Sequence, residues 1–424
     1  MTNRHEPADP ARVPVETALE ELRRGRMVLV IDDEDRENEG DLVVAAQHAD
    51  EAALAFMIRH TSGLICVAME ARRAGELRLP PMVHEADDPH GTAFTVSVDL
   101  KGATSTGVSA SDRASTINAL ADPRTRPDQL SRPGHVFPLV ARDGGVLRRA
   151  GHTESAVDLC RLAGLEPVGV LAEVTKDDGS MARRADLAAF AAEHRLVSVT
   201  VAELVRYRRL TETLVRREAS GRVPSAHGEF TAITYRTTID GQEHVALVLG
   251  DVDQERRPGS ERSPVLVRVH SECLTGDVFG SRRCDCGDQL ELAVRQIGEA
   301  GRGVIVYLRG HEGRGIGLSH KLHAYTLQDD GLDTVDANLA QGLPVDSREY
   351  GIGAQILRDL GVRDIALLTN NPAKYRGLAG HGVRISARIP LVTAPNPDNV
   401  AYLATKSRRL GHALGTAPVS ASSS

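Results

Sequence analysis

At 424 residues the chain is too long for one ordinary core, and two or three domains are expected. Hydrophobic residues make up 41% and charged residues 26%, the balance of a globular protein, and no apolar run approaches the roughly 20 residues that a membrane span needs. A net charge of −7, 3% aromatics and no tryptophan argue against a general nucleic-acid binder, while leaving open a phosphorylated small molecule, which needs only a few local cations.

The chain opens on MTNRHEPADPARVP, which contains no hydrophobic stretch to serve as a signal peptide, so a cytoplasmic location is expected. Val15, Ala18, Leu19 and Leu22 repeat at helical spacing, and MVLVID (27–32) reads as a buried strand. GLICVAM (63–69) and AFTVSVD (93–99) are further strands. SASDRASTINALA (109–121) and HTESAVDLCRLAG (152–164) read as helices, the second closed by glycine. VGVLAEV (168–174), ADLAAFAAEHR (185–195) and LVSVTV (196–201) complete an α/β pattern that ends near Arg209. Residues 207–228, charged and then turn-forming, are the expected linker. Beyond it, EFTAITYRTTID, HVALVLGD, PVLVRVHSE, VIVYLRG and DIALLTN read as strands. Helices are expected at 288–300, 317–328 and 347–360, and in PDNVAYLATKSRRLGHAL. The last residues, about 416–424, are expected to be disordered. With no internal repeat, the halves read as two α/β (α+β) domains of different topology, each a mixed sheet with flanking helices.

In the first half, DDEDRENEGD (32–41) leaves a strand and crowds carboxylates around one arginine. A charge run is ordinarily a solvated face. Here it follows a hydrophobic strand, where α/β folds place sites. Its carboxylates would also repel one another unless a cation or substrate offsets them, so magnesium or manganese is a candidate. GHTESAVDLC (151–160) places His152 at a helix start, and RPGHVFPL (132–139) places His135 in what reads as a rigid presentation loop. STGVSASDR (105–113), with hydroxyls and N–H groups ahead of a helix, reads as a phosphate cradle.

In this order these segments, with GVLAEVTKDDGSMAR, resemble the 3,4-dihydroxy-2-butanone-4-phosphate synthases over about residues 13–209. The resemblance implies that Glu37 and His152 bind Mg²⁺ or Mn²⁺. It places ribulose 5-phosphate against Arg36, Glu37, Asp41, Arg149, Ala150, Gly151, His152, Thr153 and Glu173. His135 and Glu173 match catalytically essential positions. Turning a ketopentose phosphate into a four-carbon ketone phosphate and formate moves protons and builds oxyanion charge. A metal and carboxylate or imidazole groups suit that work. Cys66, in GLICVAM, reads as core or pocket lining.

In the second half the cysteines decide. There are five, Cys66, Cys160, Cys273, Cys284 and Cys286, an odd number that does not suggest a disulfide framework. Cys273-x10-Cys284-x-Cys286 is flanked by Arg282, Arg283 and Asp285, an unlikely composition for buried free thiols. Three thiolates without an obvious fourth ligand are the pattern of a catalytic zinc. RVHSE (268–272), the glycine-rich RGHEGRGIGL (309–318) and TNNPAK (369–374) add cations and turns suited to phosphates. RGHEGRGIGL lacks the end of a P-loop.

With CDCGDQLE, HAYTLQDDG, DTVDAN and DSREYGIGAQIL, these segments resemble GTP cyclohydrolase II over about residues 224–414. The resemblance implies zinc on Cys273, Cys284 and Cys286. It implies GTP contacts at Arg268, Val269, His270, Ser271, Glu272, Gln289, Glu312, Gly313, Arg314, Thr334, Thr369 and Lys374, with Mg²⁺ accompanying the nucleotide. Asp346 corresponds to the proton acceptor, Arg348 to the nucleophile, and Tyr325 to a tyrosine near the guanine chemistry. Arginine is an unusual nucleophile because of its high pKa, and a transition-state clamp fits Arg348 equally well.

The reading is thus a bifunctional riboflavin-pathway enzyme, residues 1–209 the synthase and 210–424 the cyclohydrolase, expected as a homodimer without nucleic-acid or membrane partners. Two alternatives predict differently. A catalytically dead half acting as scaffold would show motif losses, and none falls at the named positions. A nucleic-acid-binding zinc module would need four protein ligands and a basic face.

Overall fold

The protein is described by a computed structural model over residues 12–34, 36–85, 87, 91–255, 263–343, 348, 350–371, 378 and 382–410. Two compact units divide the chain, Met1–Glu212 and Thr213–Ser424, and each is built on its own seven-stranded mixed sheet. Among the described residues no helix is long and apolar enough to cross a membrane.

The first unit runs α1 (Arg12–Arg23), β1 (Val28–Ile31), β2 (Gly40–Ala45), α2 (Glu51–His60), β3 (Cys66–Glu70), α3 (Ala71–Glu76), β4 (Val98–Leu100) and α4 (Ala110–Ala121). It continues with β5 (Leu130–Ala141), α5 (His152–Leu162), β6 (Val168–Glu173), α6 (Arg184–His194), β7 (Val197–Thr200) and α7 (Val201–Thr211). The sheet order is β4-β5-β3-β6-β2-β1-β7; only β1–β7 and β3–β5 are parallel pairs. Alternate residues of β1 feed different cores. Val28 and Val30 pack with Leu22 of α1, Leu159 of α5 and Leu204 of α7, while Leu29 packs with Met57 of α2, Ile117 of α4 and Leu187 of α6. A sheet covered on both faces explains the near-continuous apolar runs of its central strands.

Two expectations in this unit need correction. AFTVSVD is a strand only from Val98, with isolated bridges at Phe94 and Thr95 before it. RPGHVFPL is not a loop: it lies within β5. Its register against β4 slips between Val98↔Val136 and Asp99↔Ser131, so residues 132–135 bulge. Pro133 gives the ladder no donor, and a Cβ on Gly134 would sit 2.0 Å from the Val98 carbonyl carbon, so only glycine admits β4 here. The strand was hidden by the two residues that shape its bulge.

The second unit runs β8 (Val215–Ser225), β9 (Gly228–Thr237), β10 (Glu243–Leu249), β11 (Val265–Ser271), α8 (Leu274–Asp277), α9 (Cys286–Ala300) and β12 (Gly303–Leu308). There follow α10 (Leu318–Asp329), α11 (Thr334–Leu339), α12 (Gly351–Asp359), β13 (Asp364–Leu368), β14 (Arg384–Ile389) and α13 (Val400–Leu410). Order β14-β13-β11-β12-β10-β9-β8 joins a parallel half to an antiparallel meander. The unit boundary falls inside the expected linker at 207–228, which is structured: α7 runs to Thr211, and β8 pairs with β9 from Val215↔Thr237 to Ser225↔Gly228. Only Val215 of β8 is buried. A two-sided exposed edge strand has no apolar alternation, which is why its sequence resembles a linker. The expected tail lies outside the described residues.

Candidate active sites

In the first unit the acidic loop folds around its first carboxylate. Buried Asp32 accepts the backbone N–H groups of Glu37 (3.1 Å) and Glu39 (2.9 Å) and the Arg36 guanidinium (3.0 Å). Arg36 also pairs with Glu37 at 2.8 Å. This turn aims Glu37 at the first residue of α5: Glu37 Oε2 lies 3.4 Å and Asp41 Oδ1 3.7 Å from His152 Nδ1. Ligand atoms of Asp32, Glu37 and His152 fall within 4.8 Å of one another, and sequence reasoning had not singled out Asp32.

Electrostatics bind this cluster. Hydrogen bonding from His152, helped by Arg36, holds Glu37 down at about 2. Burial opposes charge on His152, but Asp41, Glu37 and Asp32 outweigh it and lift the imidazole to about 9. Burial pushes Asp41 up to about 7. His152 Nε2 and Asp41 Oδ1 are buried without a hydrogen-bond partner among the described residues. Carboxylate oxygens beside an imidazole nitrogen, two of these atoms otherwise unsatisfied, fit a hard divalent cation.

The other predicted residues lie around this centre. The β2–β6 register sets Asp41 opposite Glu173, and Glu173 Oε2 accepts Ser62 Oγ–H at 2.8 Å. On the far side of β3, β5 pairs in parallel from Cys66↔Phe137, and His135 lies two residues before that pairing. His135 is held by Asp99, whose carboxylate meets Nδ1 at 2.7 Å and the backbone N–H at 2.9 Å. Gly107 presses on this pair: a Cβ there would lie 2.3 Å from Asp99 Oδ2 and 2.6 Å from His135 Nδ1. Gly151 caps α5, and a Cβ on it would meet guanidinium nitrogens of Arg149 and Arg36 at 2.5 and 3.0 Å. Arg149 is braced by buried Glu154 at 2.7 Å and Thr92 at 3.1 Å; Thr153 is buried in the first turn and Ala150 exposed just before it. The expected phosphate cradle at 105–113 is spent internally, since Asp112 accepts the N–H groups of Ser105 and Gly107 and the Ser105 hydroxyl. Cys66 is buried, and burial raises its thiol pKa, which fits a core role.

In the second unit a cleft opens at the carboxyl ends of β11, β12 and β13, where parallel α/β sheets place ligands. The thiols of Cys273, Cys284 and Cys286 meet on its floor, Cys273 and Cys284 at 3.7 Å and all three within 4.8 Å. Gly276 makes this approach possible: a Cβ there would lie 2.9 Å from Cys284 Sγ and 3.2 Å from Cys273 Sγ. Hydrogen bonding from Cys284 and Cys286, with the Lys321 ammonium 3.1 Å away, holds the Cys273 thiol far below its ordinary range. Hydrogen bonding to Cys273, with burial, lifts Cys284 to about 11, and hydrogen bonding to both other thiols, with burial, raises Cys286. Three crowded thiols oppose one another's ionisation, and a soft divalent cation is what would let all three ionise. Three sulfurs fit zinc with one coordination position left over.

Around this floor stand Arg268, His270, Ser271, Glu272, Gln289, Gly313, Arg314, Tyr325, Thr334, Arg348 and Thr369, which all line the cleft. Arg314 is buried with φ 66°, a strained conformation for a non-glycine residue. The side chains of two further expected residues point elsewhere. Val269 faces the core with Val267, because strand alternation sends it to the face opposite Arg268 and His270. Glu312 stands behind the wall, accepting the Leu274 N–H at 2.6 Å and pairing with Lys321. Asp346 and Lys374 lie outside the described residues. Sequence reading missed Lys321 and the Asp277 carboxylate, which holds His270 Nε2 at 3.0 Å, the Tyr307 hydroxyl at 2.9 Å and the Cys273 N–H at 2.9 Å. Their only sequence signal was the charge itself.

Comparison with known proteins divides the chain in the same place. Residues 16–207 match the family model of 3,4-dihydroxy-2-butanone 4-phosphate synthase, and residues 216–390 that of GTP cyclohydrolase II. A riboflavin biosynthesis protein of Salinispora arenicola is 58% identical over 400 residues, 94% of each chain. The chloroplastic bifunctional riboflavin biosynthesis protein of Arabidopsis thaliana is 56% identical over 408 residues, 96% of this chain and 74% of that one. A two-domain 3,4-dihydroxy-2-butanone 4-phosphate synthase from A. baumannii superposes with a TM-score of 0.67 at 35% identity, covering 88% of this chain and 99% of the other.

Proposed function

Because the chain belongs to the family of bifunctional riboflavin biosynthesis proteins, joining a 3,4-dihydroxy-2-butanone 4-phosphate synthase to a GTP cyclohydrolase II, we propose a working site and its chemistry for each half. We assign residues 1–209 to the synthase and 210–424 to the cyclohydrolase. The observation that carries the reading is two ligand clusters of opposite donor chemistry, oxygen and imidazole in one unit and sulfur in the other.

In the synthase, Glu37 and His152 would hold Mg²⁺ or Mn²⁺, with Asp32 fixing the loop. The bound ion would stabilise the enediolate charge that forms on ribulose 5-phosphate. Arg36 and the segment Arg149–Thr153, with Asp41, bind and orient the sugar phosphate. Asp99 keeps the proton on His135 Nδ1, leaving Nε2 to exchange protons with substrate, and Glu173 serves as the second proton carrier. The products are L-3,4-dihydroxy-2-butanone 4-phosphate and formate.

In the cyclohydrolase, Cys273, Cys284 and Cys286 would hold zinc, whose chemistry there would be to activate water at neutral pH. Arg268, Val269, His270, Ser271, Glu272, Gln289, Glu312, Gly313, Arg314, Thr334, Thr369 and Lys374 bind GTP, Val269 through its backbone, and Mg²⁺ would accompany the nucleotide. Tyr325 stands near the thiols, its hydroxyl 3.3 Å from Thr275 Oγ1. Asp346 takes the proton, and Arg348, 5.7 Å over the Tyr350 ring, meets developing phosphate charge. The products are 2,5-diamino-6-(5-phosphoribosylamino)pyrimidin-4-one, formate and diphosphate. A homodimer, as the family resemblance implies, and a cytoplasmic location complete the proposal, and sedimentation of the purified protein and localisation of a tagged chain check them.

Formate release measured separately from ribulose 5-phosphate and from GTP tests the whole. Each substrate should yield formate with the wild type; an inert half would leave that half a scaffold.

A further inference from the structure

One wall of the sulfur-lined cleft lies outside the matched family region. That match ends at residue 390, whereas α13 begins at Val400 and brings Tyr402 and Lys406 into the cleft. They are four residues apart, so they share one face of the helix. Lys406 is 8% exposed, and a lysine is rarely so buried unless its charge is met. It is met by Asp285, fully buried between the second and third cysteines, whose Oδ1 lies 2.5 Å from Lys406 Nζ. The other Asp285 oxygen accepts Gln289 Nε2–H at 2.6 Å, and Gln289 Oε1 accepts Arg268 Nη2–H at 2.8 Å.

Four buried side chains therefore run in a line, Lys406 to Asp285 to Gln289 to Arg268, and the direction of each hydrogen bond is set by the one before it. With the ammonium in place, Asp285 is an acceptor only, so the Gln289 amide turns its NH₂ toward Asp285 and its oxygen toward Arg268. Arg268 is then pinned between Gln289 and the Leu368 carbonyl, 3.0 Å away. A second anchor holds the same helix: Arg409 pairs with Asp333 at 2.6 Å and Asp336 at 2.8 Å, where α11 presents Thr334 to the cleft.

We propose that Lys406 is a positioning residue of the nucleotide site, fixing Gln289 and Arg268 through Asp285, and that α13 is a functional wall of that site. The proposal rests on reading the cleft as the GTP site. Its test uses the full-length, zinc-loaded protein and compares wild type, Lys406→Met and Lys406→Arg by equilibrium GTP binding and by steady-state kinetics. Methionine keeps the aliphatic stem and removes the charge. The expected result is GTP binding weakened about 10- to 100-fold, the range for a lost buried charge-assisted hydrogen bond, with KM raised more than kcat falls. Zinc content and formate release from ribulose 5-phosphate stay at wild-type values, the second unit melts lower because Asp285 is left stranded, and arginine restores most of the affinity. Wild-type GTP affinity in Lys406→Met overturns the proposal. If Lys406→Met is unstable or loses zinc, the Asp285→Asn/Lys406→Met pair decides, since it removes the stranded charge. Regained stability with GTP binding still weak supports positioning, and regained binding, or no recovery of either, overturns it. Wild-type protein that binds GTP without turning it over would strike the cyclohydrolase reading and leave this one standing.

Discussion

Replacing Gly107 by alanine should disable the sugar site by displacing the His135–Asp99 pair while every side chain named in the site is kept. Gly107 has φ 89°, so alanine there costs about 1–2 kcal/mol of left-handed strain. Gly102 has φ 77° with nothing within 4 Å of a Cβ, so Gly102→Ala bears the same strain alone. The two differ in what the methyl meets. At Gly107 it lies 2.3 Å from Asp99 Oδ2 and 2.6 Å from His135 Nδ1. Ordinary contact needs about 3.5 Å, so one partner must shift by roughly 1 Å. That takes the 2.7 Å Asp99–His135 hydrogen bond out of range. Misplacing an acid–base group by this much costs on the order of 100-fold in kcat. Both variants should melt roughly 2–8 °C lower in the first unit, from that strain and the usual slope for a domain of this size. Formate release from ribulose 5-phosphate should fall about 100-fold in Gly107→Ala and stay near wild type in Gly102→Ala, while GTP turnover is normal in both. Equal sugar activity in the two variants would refute the role given to the His135–Asp99 pair.

Cys284→Ser should remove zinc and abolish GTP turnover with sugar conversion intact, and Glu37→Ala should do the converse; metal analysis beside paired formate assays checks both, and loss of both activities from either change would mean coupled sites. Lys321→Met strands buried Glu312 and removes the cation beside Cys273, so the second unit should lose about 3–5 kcal/mol and bind zinc more weakly. Calorimetry with zinc titration reads this, and an unchanged second-unit transition would contradict it. In metal-free protein, Asp41 and His152, lifted to about 7 and about 9, favour the folded state while protonated, so their contribution is lost as pH rises through those values. Glu37, held at about 2, has the opposite sign and loses its contribution only as pH falls below the ordinary carboxylate range. A divalent ion must displace the His152 and Asp41 protons, so magnesium should raise the melting temperature more at pH near 9 than near 7. A magnesium effect independent of pH would count against that site.

Much of both sites was legible in the chain because their chemistry is local in sequence. The acidic loop and the C-x-C pair bring ligands together within one turn, and the apolar periodicity of α1, β1, β11 and α9 follows directly from the face each buries. What could not be read were elements whose composition is set by something other than a buried face. Bulged β5 carries Pro133 and Gly134, and the edge strand β8 is exposed on both sides. Side-chain orientation was equally hidden: Val269 sits inside a phosphate-site motif yet turns to the core by strand alternation. The tertiary structure alone decided the partners that tune each centre. Asp99 reaches His135 across 36 residues, Lys321 reaches Cys273 across 48, and Lys406 reaches Asp285 across 121. A residue's type announces that it has charge to neutralise, but which opposite charge meets it depends on burial and distance, and those exist only once the chain has closed its loops.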